Sequence, residues 1–308
     1  MKKTLCILAF HRVLPKKNKL LHDIMYAERF DKLLNLLKKY FKILPVHEAM
    51  RNLKRKGGPS RILSITFDDG YKDNAMVALP ILNKHKVKAT FFISSGFLYG
   101  QWMWNDGIFE VISNITKNQV QTKFDLSKFD LGSFDLSTIE MKRRALDLIL
   151  EQVKYKPDKN RRKVAKDLLS AFNVPPPENL MMREDDIKTL YDAGMEIGGH
   201  TISHPILSKL SYQDAHKEIF GCKILLENVI QAPVRTFAYP NGKPVADYTE
   251  HTIEIVKKAG YQYAVSTVPE TLTSSISDPY QLPRFTPWDR NPVKFTTRLL
   301  LKMLAGQR

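Results

Sequence analysis

The sequence predicts an α/β fold: a barrel-like domain of parallel strand-and-helix units, interrupted by a helical insertion. The chain has 308 residues, which suits one barrel of about 200–250 residues together with an insert. Short apolar runs alternate with amphipathic segments, as parallel βα units require. Two of the apolar runs end abruptly in carboxylates or histidines, and barrel enzymes place their chemistry at the carboxyl ends of strands.

The first part of this pattern extends to about residue 96. The apolar residues of 27–40 recur at i, i+3, i+4 and i+7, the spacing of one buried helix face. The run ILSITF at 62–67 is largely apolar and ends abruptly in Asp68-Asp69-Gly70, which predicts a strand that delivers carboxylates at its end. The predicted elements here are strands at 5–10, 41–46, 62–67 and 89–93 and helices at 27–40, 47–56 and 74–84.

Residues 97–180 break the pattern and predict a helical insertion within a single domain that spans 1–308. Amphipathic helices are predicted at 138–155 and 158–172, and three prolines at 175–177 close the insert. The strand-and-helix alternation then resumes and ends in a basic helix at about 293–304. The later predictions are helices at 183–193, 212–231 and 249–259 and strands at 195–198, 234–239 and 262–266.

The composition limits the classes of partner. With 43% hydrophobic and 26% charged residues the chain is not disordered, and its two cysteines, Cys6 and Cys222, form no disulfide framework. The net charge of +16 favours an anionic partner such as a membrane surface or an anionic glycan, although a generally lysine-rich composition explains it equally well. The lysine clusters lack interleaved aromatic residues, so we expect no nucleic-acid partner.

No apolar stretch approaches the ~18–20 residues of a membrane span. The short apolar run after Lys2 and Lys3 is followed by no small-residue cleavage site, so it predicts a first strand and no signal peptide. We therefore expect the protein in the cytoplasm or at the cytoplasmic face of the membrane.

Two groups of polar residues directly follow predicted strands. Asp68 and Asp69 follow the strand at 62–67, and His200 and His204 follow the strand at 195–198. Adjacent aspartates on a turn point in different directions, so one can bind a metal while the other acts as a base, and histidines four apart converge on a helix or tight turn. One carboxylate and two imidazoles form an open site for Zn²⁺, with Co²⁺ or Ni²⁺ as alternatives. Each group alone is also typical of an ordinary turn or a surface histidine pair.

These residues carry a family resemblance. The segments SITFDDGY at 64–71, KATFF at 88–92 and HTISH at 200–204 resemble the motifs of the polysaccharide deacetylases of carbohydrate esterase family 4, and FAYPNG at 237–242 is similar to a third motif. The resemblance implies a distorted (β/α) barrel, usually of seven strands. It also implies metal-dependent hydrolysis of acetamide groups on an N-acetylated polysaccharide or glycan precursor, with release of acetate.

The resemblance further implies roles for individual residues. Asp68 corresponds to the catalytic base, and Asp69, His200 and His204 correspond to the metal ligands. Pro240 and Asn241 of the third motif correspond to substrate-binding residues, with the backbone N–H near Asn241 as the oxyanion donor.

The chain lacks two residues that the family usually has at this site, an arginine in the third motif and a late histidine. Ala238 stands where the third motif has an arginine, and no histidine follows His251. However, LAFHRV at 8–13 resembles the first strand of the poly-N-acetylglucosamine deacetylase branch, which makes His11 the candidate acid, and LPRF at 282–285 makes Arg284 the candidate partner of the base. The alternatives are a histidine satisfied at a strand end and a surface arginine.

Trp102 and Trp104 follow a predicted strand end and are candidates for stacking on sugar rings, or equally for anchoring the insertion. Two other functions stay open at this point. One is a catalytically impaired sugar-binding protein of the same fold. The other is a related metal amidohydrolase that acts on a non-sugar amide, because a site of this kind fixes a reaction and not a substrate.

Overall fold

The structure is a computed structural model that describes residues 3–21, 23–115, 124–273, 278–287 and 289–305. Its strands are β1 (Thr4–Phe10), β2 (Val13–Leu14), β3 (Met25–Tyr26), β4 (Lys42–Ile43), β5 (Arg61–Phe67), β6 (Thr90–Ile93), β7 (Phe124–Asp125), β8 (Ser133–Phe134), β9 (Glu196–Gly199), β10 (Thr236–Ala238), β11 (Tyr263–Val265) and β12 (Leu272–Thr273). Its α-helices are α1 (Ala27–Tyr40), α2 (Val46–Lys54), α3 (Leu79–Lys84), α4 (Trp104–Asn114), α5 (Ile139–Lys154), α6 (Asp158–Ala171), α7 (Glu184–Asp192), α8 (Tyr212–Ile230), α9 (Glu250–Lys258) and α10 (Pro292–Ala305).

The chain divides into two compact units. The first contains the residues up to 16, 23–99 and those from 181 onward, and the second contains 17–22 and 100–180. The prediction of a single domain with an insertion at about 97–180 stays a prediction.

A curled sheet forms the centre of the first unit. Its order is β11-β10-β9-β6-β5-β1-β12, with β4 also paired to β5. Within this sheet every strand pair is parallel except one: β12 runs antiparallel to the start of β1. All seven residues of β1 are buried: Leu8 and Phe10 lie in the apolar cluster that includes α1, and Leu5 and Ile7 lie in a second cluster with residues of other strands. The parallel arrangement confirms the predicted α/β class.

A short segment at residues 282–285, which we call the closing segment, joins the two ends of this sheet. On one side the Leu282 amide donates to the Ala264 carbonyl at 2.8 Å. On the other side the Phe285 amide donates to the Ile7 carbonyl, also at 2.8 Å. Both bridges are parallel. The closing segment therefore occupies a strand position between β11 and β1, and the fold is the predicted distorted (β/α) barrel.

The helices bury the faces that their spacing predicts. In α1 the buried apolar residues include Phe30, Leu33, Leu34 and Leu37, and basic residues lie in its last turn, where they complement the helix dipole. The helix predicted at 74–84 is correct in position but begins as a π-helix, Asn74–Ala78, before α3. Pro80 has no amide to donate, so regular i to i−4 bonding cannot continue through it.

The second unit has its own apolar core. Its helices α4, α5 and α6 bury residues such as Ile108, Ile149 and Leu168, and β7 and β8 form an antiparallel pair. The side-chain oxygen of Thr138 accepts the Met141 amide and caps α5. Helices α5 and α6 lie where the sequence predicts them.

Among the described residues, no helix combines the length and apolar character needed to cross a bilayer.

Candidate active site

The polar residues that follow β5 and β9 meet at the carboxyl edge of the sheet. β5 ends at Phe67 and is followed by Asp68 and Asp69, and β9 ends at Gly199 and is followed by His200. β6 lies between these strands and all three are parallel, so their carboxyl ends share one edge. The backbone of Asp69 has φ of 78°, a left-handed conformation that turns its side chain away from that of Asp68.

Asp69, His200 and His204 form a possible metal site. Asp69 Oδ1 lies 3.5 Å from His200 Nε2 and 3.4 Å from His204 Nε2. Bonds of about 2.0–2.2 Å to a tetrahedral ion separate neighbouring ligand atoms by roughly 3.3–3.6 Å, which these distances match. Asp69 Oδ1 is buried and has no hydrogen-bond partner in the described part of the chain. A buried, unpartnered carboxylate oxygen between two imidazoles suits a divalent cation.

The His200 ring is oriented by the backbone of the neighbouring strand. His200 is buried, and its Nδ1 donates to the Ala238 carbonyl at 2.7 Å, which leaves Nε2 facing Asp69. Burial by itself lowers the pKa of His200, but the two nearby aspartates outweigh it and raise that pKa. Burial also raises the pKa of Asp69, yet the imidazoles hold it well below its ordinary value. These two pKa shifts favour an ionised Asp69 carboxylate with a positive charge next to it.

His204 is brought to Asp69 by a tight turn at residues 200–204, which we call the ligand turn. Thr201 and His204 have φ of 67° and 54°, so both are left-handed. The Thr201 hydroxyl accepts the His204 amide at 3.1 Å. The two imidazole rings lie 4.9 Å apart. The predicted convergence of the histidines is thus achieved by a turn and not by a helix.

Asp68 faces Arg284. Arg284 is 2% exposed, and its guanidinium binds both carboxylate oxygens, with Nη1–Oδ1 of 2.7 Å and Nη2–Oδ2 of 2.8 Å. The Nε of Arg284 donates to the Ser266 carbonyl at 3.0 Å. Burial pushes the pKa of Asp68 up, but Arg284 holds it below the ordinary value. The alternative of a surface arginine is therefore wrong, and the buried pair keeps Asp68 ionised.

His11 directly follows β1 and lies beside the aspartates. The Asp68 amide donates to the Phe10 carbonyl at 2.9 Å, and the charge of His11 contributes to lowering the pKa of both Asp68 and Asp69. His11 is exposed, and within the described residues its imidazole makes no hydrogen bond. It is therefore not a histidine satisfied at a strand end, and its role as the acid stays a prediction.

Pro240 and Asn241 follow β10. Pro240 is buried, and Asn241 has φ of 60°. The Asn241 carbonyl accepts the Thr267 hydroxyl at 3.0 Å, whereas the Asn241 amide has no acceptor among the described residues. An amide without an internal acceptor is what an oxyanion donor requires.

Trp102 and Trp104 belong to the second unit and are partly buried against its core. A Cβ added at Gly107 would lie 2.5 Å from the Trp102 ring, and the Arg161 guanidinium lies 5.6 Å from the Trp104 ring centroid. These contacts support the anchoring role. Stacking on sugar stays a prediction.

The chain matches the sequence profile of the family described as polysaccharide deacetylase over residues 55–123 and 159–264, which is more than half of its length. The Bacillus subtilis protein YxkH, whose name assigns it provisionally to the polysaccharide deacetylases, is 32% identical over 88 residues. That stretch is 29% of this chain and 30% of YxkH.

Two solved structures resemble the whole chain. The Streptococcus pyogenes deacetylase PplD, in complex with acetate, has a TM-score of 0.63 at 18% identity, covering 98% of this chain and 99% of its own. IcaB from Ammonifex degensii has a TM-score of 0.62 at 17% identity, covering 98% and 97%. These likenesses support the fold.

With this barrel, these motifs and the profile match, the chain belongs to the polysaccharide deacetylase family.

Proposed function

We propose that the protein hydrolyses acetamide groups of an N-acetylated polysaccharide or glycan precursor and releases acetate. One observation carries this: a possible Asp–His–His metal site lies directly beside a buried carboxylate that Arg284 keeps ionised. Family membership supports the reaction class, and the similar Streptococcus pyogenes deacetylase holds acetate, the acid that such a reaction releases.

Asp69, His200 and His204 would hold the metal, which we propose to be Zn²⁺, with Co²⁺ or Ni²⁺ as alternatives. When bound, such an ion lowers the pKa of a water molecule and polarises the acetyl carbonyl. Asp68 accepts a proton from the attacking water, and its two bonds to Arg284 fix the orientation of the accepting oxygen.

The other residues serve the later part of the reaction. The Asn241 amide donates to the oxygen that becomes negative as the water adds to the carbonyl. His11 donates a proton to the leaving nitrogen, so that the carbon–nitrogen bond breaks to give acetate and a free amino sugar. His11 is suited to this because it is exposed and lies next to the aspartates.

The test is acetate release from N-acetylglucosamine oligomers, with bound metal measured on the same samples. We expect Asp68→Asn to lower kcat by about 10²–10⁴-fold, the usual contribution of a general base, with metal content unchanged. We expect His204→Ala to lose the metal. Asp192→Asn, on the exposed end of α7, is the control and should match the wild type.

Wild-type turnover by Asp68→Asn would refute the assignment of the base. A wild type that binds the oligomer and metal but releases no acetate would instead favour the sugar-binding function.

We also propose peripheral contact with an anionic membrane at its cytoplasmic face, through the outer side of α10. Phe295, Leu299 and Met303 bury the inner side of this helix. Val293, Leu301 and Leu304 are exposed on the outer side, next to the exposed Lys294, whereas Lys302 donates to the Pro269 carbonyl. Exposed apolar residues flanked by cations suit an interfacial helix, and the cytoplasmic leaflet carries the anionic lipids that attract lysine.

A further inference from the structure

The ligand turn is held by a carboxylate that no sequence motif indicated. Glu218 lies on α8, and its Oε2 accepts the backbone amides of Ile202 and Ser203, each at 2.8 Å. Its Oε1 accepts the Ser203 hydroxyl at 2.7 Å. One side chain therefore binds the two residues that lie in the middle of the turn between His200 and His204.

The opposite side of the turn is held by the loop that follows β6. The Ser94 hydroxyl donates to the His200 carbonyl at 2.9 Å, the Ser95 amide to the Thr201 carbonyl at 3.1 Å, and the Gly96 amide to the Ile202 carbonyl at 2.8 Å. The carbonyls of the turn thus bind this loop, while its amides bind Glu218.

The side chain of Ile202 leaves little room for the turn to move. A Cβ added at Gly96 would lie 2.7 Å from the Ile202 carbonyl oxygen, and a Cβ added at Gly221 would lie 2.7 Å from Ile202 Cδ1. Neither position accepts a larger residue without displacing Ile202. The packing fixes where the turn lies, whereas Glu218 supplies the hydrogen-bond acceptor for the amides of its middle residues.

We propose that Glu218 is a positioning residue for the metal: it holds the ligand turn in the conformation that aims His200 and His204 together at Asp69. The turn needs such a constraint because Thr201 and His204 are both left-handed, a conformation that is uncommon outside glycine and unfavourable for a β-branched residue such as Thr201. Without the carboxylate, two amides lose their acceptor and the turn relaxes, so His204 moves away from Asp69. The proposal rests on the metal site of the proposed function.

The test measures metal affinity by competition with a chromophoric chelator, using Zn²⁺ and the full chain. We expect Glu218→Ala to raise the Kd for Zn²⁺ by about 10–100-fold, the usual effect of removing a group that orients a ligand. Glu218→Gln should stay near the wild type, because its carbonyl oxygen can accept both amides and its NH₂ can donate to Ser203. With Zn²⁺ in excess, Glu218→Ala should regain most of its acetate release.

Glu227→Ala is the matched control. Glu227 lies on the same helix and also accepts a backbone amide, that of Val234, at 2.9 Å, but it binds no residue of the ligand turn. We expect it to lower the melting temperature and leave the Kd for Zn²⁺ unchanged. Should Glu218→Ala fail to fold, Glu218→Asp decides, since its shorter side chain cannot reach both amides and its Kd should rise.

Wild-type affinity in folded Glu218→Ala or Glu218→Asp would overturn the proposal, provided that the wild type binds Zn²⁺. A wild type that binds no Zn²⁺ would overturn the metal site itself, so the two failures are distinguishable.

Discussion

Asp68 and Asp69 show how two adjacent, identical residues acquire different chemistry from their surroundings. Both are buried, yet Asp68 faces a guanidinium and Asp69 faces two imidazoles. The left-handed backbone at Asp69 separates them. A permanently charged partner suits a carboxylate that stays ionised, whereas imidazoles, which bind a metal ion in their neutral form, suit a possible metal site.

Arg284→Gln should shift the acid limb of the profile of acetate release against pH to higher pH. Without the guanidinium, burial raises the pKa of Asp68, so the base becomes protonated at higher pH than in the wild type. We expect kcat to fall by about 10–100-fold near pH 7 and activity to recover as the pH rises. The measurement is acetate release against pH at saturating metal.

Arg298→Gln is the control for that experiment, since Arg298 pairs with Asp289 on the surface. An acid limb at the same pH in Arg284→Gln and the wild type would show that the guanidinium does not control the ionisation of Asp68.

The sequence predicts the candidate metal ligands of this site better than the residues that orient them. The aspartates and histidines could be found because each group directly follows a strand, and parallel strands end at one edge. Glu218 lies in an ordinary amphipathic helix, and the bond from His200 goes to a carbonyl, which has no signature in the sequence. Arg284 was found only through a family resemblance, since 216 residues separate it from Asp68.

Among the elements, β9 is shaped by two adjacent glycines. A Cβ added at Gly198 would lie 2.5 Å from the Phe92 ring, and one added at Gly199 would lie 2.2 Å from the Tyr261 hydroxyl. The large rings of neighbouring elements therefore occupy the space that side chains would take in β9. A run of glycines is a weak strand signal, which is why the sequence predicted this strand one residue too early, at 195–198.

Glu196, at the other end of β9, ties three strands and a helix together. It accepts the Thr90 hydroxyl at 2.7 Å, the Thr236 hydroxyl at 2.9 Å and the His47 amide at 3.1 Å. Burial raises the pKa of Glu196, and these hydrogen bonds offset the effect only in part. The folded state therefore binds this proton more tightly than the unfolded chain, so this carboxyl makes folding less favourable as pH rises above the ordinary value of 4.5.

Glu196→Gln should remove this pH dependence. Its carbonyl can accept the Thr90 and His47 donors and its NH₂ can donate to Thr236, without a buried charge. We expect the free energy of unfolding of the variant, relative to the wild type, to increase between pH 4 and pH 8 in urea denaturation. Glu254→Gln, on the exposed side of α9, is the control. Equal pH slopes in all three proteins would contradict the assignment.

For the whole molecule, we expect the net charge of +16 to contribute to membrane binding where cations lie beside exposed apolar residues. We expect Leu301→Gln to lower binding to vesicles that contain anionic lipid by about 10-fold, because the outer side of α10 loses its largest exposed apolar contact. The measurement is sedimentation with anionic and with zwitterionic vesicles.

Tyr155→Gln, which removes an exposed hydrophobic side chain of the second unit, is the control for vesicle binding. Equal binding by Leu301→Gln and the wild type would remove α10 as the contact. Concentration-dependent self-association that is lost in Leu301→Gln would assign this helix face to a second copy of the chain.

The closing segment links the order of synthesis to the assembly of the site. Asp68 and Asp69 emerge from the ribosome early, His200 and His204 much later, and the segment that bears Arg284 later still. Until that segment inserts between β11 and β1, the barrel is open and Asp68 is without its guanidinium. Contacts so distant along the chain form slowly. We therefore expect barrel closure and the pairing of Asp68 with Arg284 to be a single late event, so that partly synthesised chains hold the aspartates without this guanidinium.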